Sequence, residues 1–309
     1  MLRKILCVCF CLVMMCGCSE SYGTQIHEGD SNTNQTTDDN GEFEVSKDIG
    51  KGYKLFDNSR VVSAYKSCDD SGLSDFERDI YDEAKKILDE IKVTATSDYE
   101  IELAVHDYIV GSSTYDRDAI SALEKPKKNS ENPYGILINK TGICLGYTTT
   151  FQLFMDMAEI PCKTIYAEDD DGDEHAWNQV EIDGKWYYVD CTWDDPVPEE
   201  KDRPPFHEFF NVTEDYMWKS GHRWDRDKCE ESNSFKNSYL YKEAVEIYSW
   251  DDIRDVMKQA VDNGKGDVSV VADKSFDGYD EVMTGGGKIF ELETVINYKS
   301  QKYLLYVAY

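Results

Sequence analysis

The sequence predicts an α+β fold, and three observations predict it. Ser74-Asp75-Phe76-Glu77 and Ser97-Asp98-Tyr99-Glu100 both read as capping boxes that open amphipathic helices. A broad apolar face over Cys144–Ala158 reads as a third helix. Asp183-Gly184, set between two runs of alternating apolar residues, is a strong short-range hairpin signal. Helices first and antiparallel strands after them is an order that segregates the two kinds of element.

The chain has 309 residues, room for one large domain or two small ones, and its 40% apolar content with 21 Tyr and 12 Phe is enough for a packed core. A formal charge of −29 leaves no basic face for phosphates, so nucleic acid is excluded as a partner. Arg3 and Lys4 precede an apolar run, Ile5–Met15, that is too short to span a bilayer. Residues 1–18 are therefore expected to be a signal peptide. Its end, Met15-Cys16-Gly17-Cys18-Ser19, resembles a bacterial lipobox, with a small residue before a cysteine. That resemblance implies lipidation of Cys18 and a domain anchored to the outer face of the cell membrane. Cys16, behind the bulky Met15, is the second choice, and an ordinary secretory signal is the alternative. Residues 19–52 are rich in Ser, Thr, Asn, Asp and Gly and read as a disordered tether. A main domain over 53–235 and a small α/β appendage over 236–309 are expected beyond it.

The first helix carries Phe76, Ile80, Ala84, Ile87, Leu88 and Ile91 at helical spacing, and the second carries Ile101, Ala104, Val105, Tyr108 and Ile109. His106 lies near that second stripe and reads as surface or packing. Residues 111–135 are loop-rich, with Lys125, Lys127 and Lys128 around Pro126. Gly142 breaks the chain before the third helix, and Pro161 stops that helix. Lys163–Ala167 is a short strand. Glu168–Glu174 is almost wholly acidic, but Gly172 comes too early for a calcium loop, which favours a solvated turn. Ala176–Ile182 and Lys185–Asp190 form the hairpin, ended by Asp194-Asp195-Pro196. After an irregular stretch, the appendage offers a helix near Trp250–Val261 and strands near Val268–Ala272, Ile289–Tyr298 and Tyr303–Tyr309. Gly285-Gly286-Gly287 reads as a turn.

Of the 10 cysteines, Cys7, Cys9, Cys11, Cys16 and Cys18 belong to the signal segment. Cys68, Cys144, Cys162, Cys191 and Cys229 remain. An odd number in an exported domain suggests one free thiol and two pairs, and all five reduced is the other reading. No Cys/His pair has zinc-ligand spacing, so no metal and no cofactor are expected. A monomer is expected.

Three residues carry chemistry in the order nucleophile, base, orienting acid: Cys144 at a helix start, His175 opening a strand and Asp190 closing the next. The unpaired N–H groups and positive dipole end of a helix start favour a thiolate there. The backbone N–H of Cys144 would supply half of an oxyanion hole. A two-residue turn at 183–184 pairs Ile182 with Lys185, so paired positions sum to 367. His175 then lies opposite Thr192, and Asp190 opposite Trp177. His175 and Asp190 become diagonal neighbours on one face, about 7–8 Å apart at Cβ and within reach of one hydrogen bond. The other face, Ala176, Val180, Ile182, Tyr187 and Val189, is the expected core. One extra loop residue would move Asp190 to that core side.

Gly142-Ile-Cys144-Leu-Gly-Tyr147, His175-Ala-Trp177-Asn178 and Asp183-Gly-Lys-Trp-Tyr-Tyr-Val-Asp190 together resemble the core of the transglutaminase-like superfamily. Tyr108-Ile109, Tyr115-Asp116, Trp193-Asp-Asp-Pro196 and Phe210-Asn-Val-Thr213 extend the resemblance over about 98–225. It implies a papain-like α+β core, helices packed on an antiparallel sheet, and a Cys-His-Asp thiol enzyme acting on protein or peptide amides through a thioester. Cys144 would be nucleophile, His175 base then acid, and Asp190 orienter. Leu145 stands where animal transglutaminases often carry Trp, and nothing resembles their calcium sites. The second oxyanion donor has no match; Tyr147, Trp177 and the Tyr108–Tyr115 region are candidates for substrate or oxyanion contact. Hydrolysis would make the protein a peptidase or amidase, and amine transfer an acyltransferase. The alternative from another class is a noncatalytic surface binding module with a vestigial triad.

Overall fold

A computed structural model describes residues 53–120, 127–168, 174–195, 205–249, 252–265 and 267–273, with strands at 25–27, 36–37, 43–44, 46–50, 288–292 and 302–308. The expected signal segment, with Cys16 and Cys18, lies outside the described residues, as do 169–173 of the acidic loop and Gly285-Gly286-Gly287. The expected tether is described only at its short strands.

Helix α1, Ser59–Ser67, is absent from the sequence expectations, and Asn58 at its N-cap makes no side-chain cap. Asn58 instead donates its Nδ2 to the carbonyl of Thr149 at 2.9 Å, tying this segment to the central helix. Helix α2, Asp75–Thr94, opens on the complete box expected, with Ser74 accepting from the Glu77 N–H and Glu77 reaching back to the Ser74 N–H. Helix α3, Asp98–Ser112, departs from that pattern. Ser97 accepts from the Glu100 N–H, but the Glu100 carboxylate accepts from the Thr96 N–H at 2.6 Å and the Thr96 hydroxyl at 2.7 Å. Thr96 carries a hydroxyl beside its N–H, so one carboxylate satisfies two donors there.

Helix α4, Cys144–Ala158, has the bounds the sequence predicts and ends where Glu159 turns left-handed, φ 64°, ahead of Pro161. Twelve of its positions are buried, round the whole circumference rather than on one face. α1, α2 and α3 enclose it on one side and the sheet on the other, which makes it the axis of the domain.

The sheet is antiparallel: β1 (Cys162–Glu168), β2 (Glu174–Ile182) and β3 (Lys185–Val189), with strand 25–27 outside β1. Ile182 pairs with Lys185 and Asn178 with Val189, the register expected from a two-residue turn. Asp183 and Gly184 take φ 54° and 72°, positive at both central positions as a type I′ turn requires. β3 stops at Val189, one residue short of expectation, because the Asp190 N–H donates instead to the Phe209 carbonyl at 3.1 Å. β2 runs on alone against β1, with Ala167 opposite His175. Val180, Ile182, Tyr187 and Val189 pack with Phe151, Phe154 and Ile80 against the helices. Trp177 and Tyr188 turn to the other face and pack with Ile165, Phe209, Met217 and Trp224. Leu240 and Val271 join that second cluster, so the C-terminal segment closes the sheet's far side. That segment holds a helix at Asp252–Asp262 and a sheet of strands Val245–Glu246, Asp267–Asp273, Lys302–Ala308 and Lys288–Leu292, in that order.

The turn before α4 is set by backbone proximity. The Ile143 N–H donates to the Ser130 carbonyl at 2.8 Å, and a Cβ at Gly146 would meet the same oxygen at 2.4 Å. Gly146→Ala is therefore expected to push the Ser130 loop off the helix start and to cost about 1–3 kcal/mol. Gly72→Ala, where a Cβ meets nothing within 4 Å, is expected to leave stability nearly unchanged. Denaturant midpoints of the two variants check this.

Candidate active site

Cys144 begins α4 behind Ile143, an apolar residue where helices prefer Ser, Thr, Asp or Asn, and no side chain caps this helix start. A capped helix would gain about 1 kcal/mol. Forgoing the cap leaves the first-turn N–H groups to face whatever lies beside the thiol. Cys144 is 9% exposed as a residue and packs with Leu145, Tyr166 and Ala176.

His175 stands on β2 just beyond the last rung of the hairpin, where the chain of β3 has already turned away. Its Nε2–H donates to Asp190 Oδ2 at 2.6 Å. Cys144 packs against Ala176, the neighbour of His175 on β2, and its thiol helps to raise the pKa of that imidazole. With Nε2 committed to Asp190, the remaining ring nitrogen is Nδ1. The structure thus brings together the three residues expected to carry chemistry.

Asp190 is buried and accepts four hydrogen bonds. Oδ1 takes the backbone N–H groups of Thr192 at 3.0 Å and Trp193 at 3.1 Å, and Oδ2 takes His175 and, at 2.9 Å, the Nε2–H of His222. Burial alone would raise its pKa, but the imidazoles outweigh that and hold the carboxyl well below its usual range. Burial likewise opposes charge on His175, yet the Asp190 charge and hydrogen bond prevail, with Cys144 adding to them, and the pKa is pushed up to about 10. The ring is therefore an imidazolium at neutral pH, paired with the Asp190 carboxylate.

His222 has no counterpart among the sequence expectations. Its side chain is fully buried, and burial lowers its pKa despite Asp190. It is a neutral donor through Nε2, and its Nδ1 makes no hydrogen bond. Trp193 lies 4.1 Å from its ring centroid, Trp177 5.0 Å and Phe209 5.6 Å. The same two tryptophans stack on His175, Trp177 at 5.6 Å and Trp193 at 5.7 Å. Trp193 is 37% exposed and forms the outer wall, and Trp177 is the buried inner one. Of the candidate contact residues, Trp177 thus stacks on the His175 imidazole. Tyr147 does not fill the expected role: its ring lies in the helical core and its hydroxyl donates to Asp195. The Tyr108 hydroxyl accepts from Lys140 Nζ, and Tyr115 stacks on Tyr147, so both serve the packing before α4.

The other cysteines are free thiols as well, so the two-pair arrangement is not the one the structure holds. Burial pushes Cys162 and Cys191 well above the ordinary thiol range, which makes them poor nucleophiles. His106, read as surface or packing, is fully buried and bonded to Asp194.

An α+β domain with a helix-start thiol against an imidazole-carboxylate pair has the arrangement of a papain-like cysteine enzyme. Residues 85–191 match the family model of the transglutaminase-like superfamily. It is similar to the Kyphoscoliosis peptidase of Mus musculus, 24% identical over 192 residues that cover 56% of this chain and 27% of the relative. The Homo sapiens protein of that name is 26% identical over 134 residues, 40% of this chain and 18% of the relative. The chain therefore spans about a quarter or less of these relatives' length. Among solved structures it is similar to a TGase, with 18% identity, a TM-score of 0.35 and coverage of 45% of this chain and 38% of that one. The periplasmic domain of TgpA from Pseudomonas aeruginosa bound to ethylmercury gives 17% identity, a TM-score of 0.31 and coverage of 47% and 54%.

The raised pKa of His175 has a definite sign. Its contribution to stability is complete below about pH 6.5, the ordinary histidine value, and is lost as pH climbs through about 10. In Asp190→Asn burial acts with less opposition, so the His175 transition is expected to fall by two or more pH units. Side-chain NMR of His175 across pH 5–11 reads this directly.

Proposed function

We propose that this chain is an exported, lipid-anchored thiol hydrolase that cleaves protein or peptide amides through a thioester on Cys144. The observation that carries the reading is the His175 imidazole bonded to Asp190 Oδ2 at 2.6 Å, beside a thiol at the uncapped start of α4. The thiolate attacks the amide carbonyl, and the oxyanion forms beside the uncapped N–H groups of α4. His175 gives its proton to the departing nitrogen as the C–N bond breaks and a thioester remains. The neutral imidazole then takes a proton from water, whose oxygen displaces the sulfur and releases the acid. Asp190 holds the ring throughout and balances its charge. Trp193 on the outer side and Trp177 on the inner fix the ring plane. The name peptidase borne by the two curated relatives supports hydrolysis, and a lysine amine in place of water would give cross-linking by the same first step. Export and anchoring at Cys18 rest on the sequence of residues 1–18.

Incubation with a glutamine-containing protein and a fluorescent primary amine separates the outcomes. Cleaved products without amine incorporation, both absent in Cys144→Ala, are the expected result. Incorporation that depends on Cys144 would replace hydrolase by acyltransferase. A Cys144 thiol that alkylates no faster at pH 6 than an ordinary cysteine, with neither product formed, would leave only the surface binding module.

A further inference from the structure

A second cluster of imidazoles and carboxylates lies outside the catalytic trio. His106 and Asp107 are consecutive on α3, and His207 comes from the segment before Phe209. His106 Nδ1 lies 3.2 Å from Asp107 Oδ1, and His207 Nε2 lies 2.8 Å from the same oxygen. All three donor atoms fall within 4.8 Å of one another. Ligands about 2.1 Å from a tetrahedral ion stand about 3.4 Å apart, so small side-chain shifts would seat one here.

We infer that His106, Asp107 and His207 form a binding site for a divalent transition-metal ion of the zinc class. Four further observations support it. The Nε2–H of His106 donates to Asp194 Oδ2 at 3.0 Å, and Asp194 is itself fixed by the Phe209 N–H at 3.0 Å. Ligating histidines almost always hand their second N–H to such a carboxylate, which turns Nδ1 toward the metal as a lone pair. The rings are also held before any ion arrives: His207 stacks on Tyr239 at 3.9 Å and 12°, and His106 meets Phe210 edge-on at 5.0 Å. Charge balances too, since a doubly charged ion offsets Asp107 and Asp194. Asp107 also borders an open groove of about 750 Å³ shared with Glu90, Tyr108, Ser112 and Pro205, so an ion can reach its carboxylate from solvent.

Asp194 ties this site to the catalytic one. It sits in the turn that begins at Asp190, and an ion on His106 would stiffen that turn from its far end. Local spacing rules cannot find such a site, because His207 is 101 positions from His106.

The test uses the full chain, stripped with EDTA and titrated with zinc by calorimetry, with cobalt absorption as a second readout. One equivalent is expected to bind with micromolar or tighter affinity and to raise the melting temperature. His207→Gln and Asp107→Asn are each expected to weaken binding at least tenfold. Cys144→Ser with His222→Gln, which dismantles the other imidazole-carboxylate trio, is expected to leave binding intact. Asp107, whose side chain is 41% exposed, carries the test should the His207 variant not fold. No binding to the wild type, or undiminished binding in Asp107→Asn, or loss of binding only in the Cys144/His222 variant, would overturn the site and leave a hydrogen-bonded relay.

Discussion

The buried carboxylate of Asp190 is the point on which the site depends. A lone carboxylate with 1% exposure is costly, and this one persists because four N–H donors surround it. Two of the donors are backbone groups of its own turn, so its ionisation and the shape of residues 190–193 are one event. The other two are imidazoles on a single oxygen. His175 gains charge from that oxygen and His222 does not, although both rings touch it. Burial opposes charge on both rings, but the Cys144 thiol adds to the support of His175, whereas the charge on His175 opposes a second one on His222. One carboxylate therefore stabilises a cation on one side and takes a neutral donor on the other.

The turn after β3 extends that logic. Its three aspartates point to three parts of the fold: Asp190 to the imidazoles, Asp194 to His106 and the Phe209 N–H, and Asp195 to the Tyr147 hydroxyl on α4. The turn is thus bonded to α3, to α4 and to the segment at 209. Since Cys144 opens α4 and Asp190 opens the turn, the Tyr147–Asp195 contact also helps set the thiol relative to the acid. A tyrosine that looks like a substrate residue by position works as a spacer between them.

Legibility in the sequence follows the range of the interactions. The hairpin was readable because Asp183-Gly184 admits positive φ at two successive positions, and from that one fact the shared face of His175 and Asp190 follows. α4 was readable because Gly142, an apolar run and Pro161 bracket it. The first capping box was readable and the second only in part, since Thr96 offers Glu100 a second donor just outside the motif. α1 was missed because Asn58, the residue that should mark its start, spends its side chain on Thr149. His222 was missed for a similar reason. It is 32 positions from Asp190 in an irregular stretch, and no local pattern distinguishes it from a surface histidine.

His222 has a further consequence for how the acid works. Its N–H and that of His175 share Oδ2, so each hydrogen bond draws on the same electron density. Removing His222 would leave Asp190 with three donors and concentrate its charge on His175, making the imidazolium harder to deprotonate. With His175 as the one donor on Oδ2, the carboxylate would hold the proton too tightly for the second half of the proposed reaction, where His175 must be neutral to accept from water. The neutral imidazole on the buried side thus moderates the acid while filling a space that would otherwise leave a carboxylate oxygen against two tryptophans and a phenylalanine. A burial site that costs a histidine its charge is what makes it useful there, because a second imidazolium would neutralise Asp190 and release His175 from it.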